Sequence, residues 1–94
     1  MLTYRAMFKF LDDGVHAEVL DFPGTISCAG DLEEARRMLR SALVDMADEC
    51  LLRGEPLPLP NPAVSDLESD LEEPIHLLLT AATHIAAVSQ DATT

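Results

Sequence analysis

Along the first eleven residues, polar and apolar positions alternate with the period of a half-buried strand. Leu2, Tyr4, Ala6, Phe8 and Phe10 share one face, and Thr3, Arg5, Met7, Lys9 and Leu11 share the other. The first set is the expected core face. Asp12-Asp13-Gly14 supplies the residue types of a tight hairpin turn, in which Asp-Gly tolerates positive φ. A second strand follows, with Val15, Ala17 and Val19 alternating with His16, Glu18 and Leu20 until Asp21-Phe22-Pro23-Gly24 breaks it. Thr25 to Ala29 reads as a short third strand, completing an antiparallel meander with one face still to be covered.

The cover is a helix from about Leu32 to Arg53, where Ala35, Met38, Leu39, Ala42, Leu43, Met46, Ala47 and Cys50 recur at the three-and-four spacing of one helical face. Asp31 stands at the N-cap position with Glu34 three residues on, and Glu33 and Glu34 lie where the helix dipole favours negative charge. Gly54 is placed to end the helix in a left-handed conformation. The next stretch, Glu55-Pro56-Leu57-Pro58-Leu59-Pro60-Asn61-Pro62, can form neither helix nor central strand and is expected to run extended over the surface.

Residues 63–73 are acidic, and Leu67 and Leu71 lie one helical turn apart, so the segment reads as a short helix or an ordered loop. Pro74 bounds a fourth strand over Ile75 to Thr80. Thr83 to Val88 extends that strand, adds an edge strand or turns helical, and Ser89 to Thr94 reads as a tail. The expected fold is therefore one α+β domain over residues 1–94. A three- to four-stranded antiparallel sheet (β-β-β-α-β) is covered on one face by one long helix, and residues 55–73 form a Pro-rich, acidic connector within it.

Composition sharpens this picture through charge. Seventeen acids against six Lys and Arg give a net charge of −11 over 94 residues, and all six cations precede residue 54. Such a chain repels nucleic acid and anionic lipid and attracts basic surfaces. There is no apolar run of membrane-spanning length and no signal-peptide layout at the start, so a cytoplasmic protein is expected, its Cys28 and Cys50 being free, half-buried core thiols.

Candidate chemistry is sparse. His16, His76 and His84 lack metal-ligand spacing, and no serine sits in a nucleophile elbow. Asp12, Asp13, Asp21 and Asp31 are strand-end carboxylates that could hold a divalent ion, but each also fits a turn or cap role. A non-enzymatic protein without a cofactor is the expectation, and a minimal metal-dependent enzyme is the remaining alternative.

Tyr4-Arg5-Ala6-Met7-Phe8 leading to Asp13-Gly14, then Asp21-Phe22-Pro23-Gly24, Gly30-Asp31-Leu32-Glu33-Glu34-Ala35 and Gly54-Glu55-Pro56-Leu57-Pro58, together resemble the HicB antitoxin family over about residues 3–62. The resemblance implies a truncated RNase H-like domain without nuclease residues, which blocks a small basic mRNA-cleaving toxin of the HicA kind. It departs from the family where Asp31 runs directly into Leu32 without an intervening Thr or Ser. It departs again after residue 62, where the family commonly appends a DNA-binding domain. Residues 63–94 contain no Lys or Arg to neutralise phosphates, so no separate DNA-binding domain and no direct nucleic-acid binding are expected.

Two functions follow from this reading. In the first, exposed carboxylates at Glu33, Asp45, Asp48 and Glu49 on the helix, and at Asp66, Glu68, Asp70, Glu72 and Glu73 after it, attract a basic toxin while an apolar patch near Leu57, Leu59, Leu67 and Leu71 holds it. In the second, a toxin-less module of structural or regulatory role self-associates through its sheet edges as a dimer or tetramer.

Overall fold

The computed structural model describes residues 1–79 and 85–89. Five strands and one helix follow one another as β1 (Leu2–Leu11), β2 (Gly14–Val19), β3 (Ile26–Ala29), α1 (Leu32–Leu52), β4 (Leu71–Leu79) and β5 (Ile85–Ser89). The strands form one antiparallel sheet in the order β3-β2-β1-β4-β5. The helix packs against β3 and β2 on one side and β5 on the other, so the sheet curls around it.

Register decides which residues meet the helix. Tyr4, Ala6 and Phe8 stand opposite Ile75, Glu73 and Leu71 on β4, and Ala6 and Phe8 stand opposite Val19 and Ala17 on β2. From α1 this face receives Ala35, Leu39, Leu43 and Ala47, all fully buried at successive i+4 positions. The edge-on contact of Tyr4 with Phe22, at 5.3 Å between ring centroids, closes one end of the core.

The helix begins as its sequence requires: the Asp31 carboxylate accepts the Glu34 amide at 2.8 Å, capping one of the unpaired N–H groups of the first turn. It ends at Gly54, whose φ of 71° is a left-handed conformation that would strain any other residue there. At the hairpin, Gly14 is required by proximity: a Cβ there would stand 2.5 Å from the Ala29 carbonyl oxygen.

The expected three- to four-stranded sheet is corrected to five strands. β4 starts at Leu71 rather than after Pro74, so the connector ends at Asp70, and residues 63–70 form turns rather than a helix. Pro74 is tolerated inside β4 because its partner Arg5 directs both backbone groups toward β2: the Arg5 amide donates to Asp21 and its carbonyl accepts from Leu20. No β1 bond is therefore lost at Pro74. Of the three outcomes for Thr83 to Val88, Ile85–Ser89 forms the edge strand, while residues 80–84 and 90–94 lie outside the described residues.

Two strand positions depart from simple alternation. Phe10 is 50% exposed near the end of β1, whereas Met7, on the face away from the helix, is 3% exposed. The connector explains Met7. It passes from the helix side, where Pro58 accepts the Tyr4 hydroxyl at 2.7 Å, through an Asn61 amide to Asp21 bond, onto the opposite face. There Ser65 and Asp66 bond Glu72, the residue opposite Met7. Burial pushes the Tyr4 phenol above its usual range, with Asp21 and Cys50 adding to the effect, and the phenol stays a donor.

Candidate functional site

Each sequence-read carboxylate was expected to face solvent, and the structure divides them. Glu73 occupies a helix-face position of β4 opposite Ala6, whose small side chain leaves room for it, and it is 8% exposed. Arg36 of α1 grips it with two bonds, Nε to Oε1 at 2.8 Å and Nη2 to Oε2 at 2.9 Å. Glu72 faces the other way and holds the connector: it accepts the Asp66 amide and the Ser65 hydroxyl, each at 3.0 Å, with Arg5 at 3.7 Å. The expectation that Glu72 and Glu73 are exposed partner-binding groups is therefore corrected, because both are committed to internal contacts.

The Asp66 backbone amide, with Ser65 and Arg5 contributing, holds the Glu72 carboxyl below the usual carboxylate range. A depressed folded-state pKa contributes stability that is present at neutral pH and is lost as pH falls through the acidic range. Glu72→Gln is accordingly expected to lower the thermal midpoint at neutral pH, and the gap from wild type should narrow as the pH is brought below the carboxylate range. Melting curves across a pH series check this, and a gap independent of pH would contradict the role given to Glu72.

The remaining connector acids are also engaged locally. Asp70 accepts the Phe10 amide at 2.7 Å, Asp66 accepts the Glu68 amide at 2.9 Å, and Glu68 lies 3.8 Å from Lys9. The proposed leucine patch is not one surface. Leu57 and Leu71 pack against the core, whereas Leu59 and Leu67 are 86% and 102% exposed. Leu59 adjoins the Pro58 contact to Tyr4 and Leu67 adjoins the Glu68 contact to Lys9, positions about 17 Å apart along β1 at the usual strand rise.

The helix acids behave differently. Every one of the six cations has an internal partner: Arg5 with Glu72, Lys9 with Glu68, Arg36 with Glu73, Arg37 with Glu34, Arg53 with Glu49 and Glu55, and Arg40 with the Ser89 hydroxyl at 2.6 Å. Glu33, Asp45, Asp48 and the hairpin residues Asp12 and Asp13 pair with no cation among the described residues.

Asp45, Asp48 and Leu52 recur at three-and-four spacing on the outward side of α1, beside Glu49 and Leu51. Leu51 is 48% and Leu52 81% exposed, so the unneutralised Asp48 stands directly beside exposed apolar side chains, with Asp45 one turn further back. Leu51 and Leu52 escaped the sequence reading because the strong core periodicity of α1 is satisfied without them. Their signal was a pair of leucines continuing past Cys50 off the core face.

Two of the four strand-end aspartates serve structure. Asp21 accepts the Arg5 and Asn61 amides at 2.9 Å each, and Asp31 caps α1. No cluster of three or more metal-ligating side chains occurs among the described residues. His16 lies 3.7 Å from Glu18, and His76 bonds Thr3 at 3.0 Å. Cys50 is half-buried against the core as expected, but Cys28 is exposed on edge strand β3. Among the described residues no helix is long and apolar enough to cross a membrane. Comparison with protein-family models and with curated proteins finds no match for this chain.

Proposed function

We propose that this chain is a non-catalytic binding protein of the HicB antitoxin kind, on a truncated RNase H-like scaffold, and that the C-terminal half of α1 receives a small basic toxin-like protein. The observation that carries this reading is the placement of uncompensated charge. The cations are used internally, while Asp48 stands beside the exposed Leu51 and Leu52 and Asp45 lies one turn behind it on the same side of α1. Such an arrangement accelerates encounter with a positive surface through its field and then offers apolar area for lasting contact. Glu33, nearer the start of the same helix, extends the negative potential, whereas Glu72 and Glu73 contribute to the fold.

The order of roles also suits an inhibitor rather than an enzyme: Asp21, Asp31, Asp70 and Glu73 are held by backbone amides, a helix cap and an ion pair. Capture from soluble extract of the source cell, washed at rising salt, tests the reading. One small basic protein released by salt supports it; recovery of nothing basic, or of an acidic partner indifferent to salt, overturns it.

A further inference from the structure

The β3 edge of the sheet, which no strand among the described residues pairs, is defined in detail by the register. Odd residues of β1 direct their backbone groups toward β2, as the Arg5 carbonyl bonded to the Leu20 amide shows. The hydrogen-bonded pairs of β1 and β2 are therefore Met7 with Glu18 and Lys9 with His16. Val15, Ala17 and Val19 then point the other way, consistent with the Val19 amide bonding the Thr25 carbonyl. It follows that Ser27 and Ala29 use their backbone groups on Ala17 and Val15, and that Ile26 and Cys28 turn theirs outward at the edge.

We propose that this edge pairs with the β3 strand of a second copy, antiparallel about a two-fold axis at Ser27. That register alone sets Ile26 opposite Cys28 of the other copy twice over, so that all the outward N–H and C=O groups of both residues are used, two bonds in each pair. A register centred on Cys28 would pair only that residue within the strand. At Ser27 the two hydroxyl-bearing side chains meet in a closely spaced, non-hydrogen-bonded pair on the helix face. On the opposite face Ile26, 55% exposed, lies against the exposed Cys28 of the second copy, with Leu11, 51% exposed, nearby on the same face.

Charge gives a basic partner no hold at this place, and the uncharged strand is matched instead by its own sequence in the register above. The strand reads Ile-Ser-Cys-Ala and offers nothing to attract a cation, while the unpaired acids Asp45 and Asp48 lie on α1 and Asp12 and Asp13 at the hairpin. It also lacks the lysine or proline by which edges are commonly protected, although its four residues keep the contact small. The product is a weak, concentration-dependent dimer. Because each copy carries −11, salt strengthens this association, whereas salt weakens capture of a basic partner. The inference does not rest on the toxin-binding reading, and the opposite salt responses separate the two.

Sedimentation velocity over a concentration series, at low and moderate salt, tests it. The weight-average mass of wild type should rise from 10.2 kDa toward twice that value, further at the higher salt. Ile26→Lys, at an exposed position, should keep the circular dichroism of the fold and weaken the dimer about tenfold or more, since symmetry removes the contact twice. Hydrogen exchange should show the Ile26 and Cys28 amides gaining protection with concentration. Wild type that stays monomeric throughout, or a dimer that Ile26→Lys leaves intact with those two amides unprotected, overturns the proposal.

Discussion

Replacing Glu73 with alanine is expected to destabilise the protein by about 3 kcal/mol, the lower end of what breaking one partner of a buried ion pair costs. The Glu73 side chain is 10% exposed and that of Arg36 20%, and both Arg36–Glu73 bonds are bidentate and short enough to be charge-assisted. Alanine would leave a cationic head at the sheet–helix interface without this acceptor. For a chain of this size the loss corresponds to a fall in thermal midpoint of roughly 15 °C. Glu73→Gln, which keeps an acceptor but not the charge, should fall between alanine and wild type. Thermal melts of the three proteins check the order. A Glu73→Ala protein within about 0.5 kcal/mol of wild type, the range of ordinary surface changes, would contradict its place in the core-facing row of β4.

Leu39→Ala is expected to cost about 3 kcal/mol as well, by a different route. The buried row of α1 is Ala35, Leu39, Leu43 and Ala47, so two leucines supply most of the volume with which the helix fills the curve of the sheet. Both are fully buried, and removing the larger part of one leaves a cavity that the alanines on either side cannot fill. Denaturant unfolding should show a lower midpoint with an unchanged slope, because the same surface is exposed on unfolding. An effect below about 1 kcal/mol would mean that the helix docks through other residues.

The contrast between these two positions explains what the sequence could and could not convey. Leu39 belongs to a pattern complete within the helix itself, since periodicity, cap and terminating glycine all lie within two dozen residues and agree. The hairpin is legible for the same reason. Glu73 is not, because its partner lies 37 residues away in sequence and because Glu72-Glu73-Pro74 has the composition of a loop. Tertiary contacts overrode that local preference: small Ala6 opposite Glu73 makes space for the Arg36 head, and the pairing of Arg5 with Pro74 spares the ladder.

Alternation alone places Met7 on the solvent face, and only the path of the connector, fixed at Pro58, Asn61 and Asp66, buries it. The candidate binding surface was half legible. Asp45, Asp48 and Glu49 stand out by helical spacing, but whether a carboxylate is free or neutralised depends on where every cation goes. The ion pairs that remove Glu68, Glu72 and Glu73 from that surface link positions 37 to 67 residues apart.

If the acidic stripe of α1 is the docking surface, position must matter beyond total charge. The most direct measurement is the affinity of the captured basic protein for three forms of the chain at one ionic strength: wild type, Asp45→Asn/Asp48→Asn, and Asp12→Asn/Asp13→Asn. Both double variants remove the same charge from exposed, unpaired sites. The helix variant is expected to bind about tenfold to a hundredfold more weakly, and the hairpin variant within about threefold of wild type through the long-range field alone. Equal losses in the two would show attraction to bulk negative charge and contradict a binding site at Asp45 and Asp48.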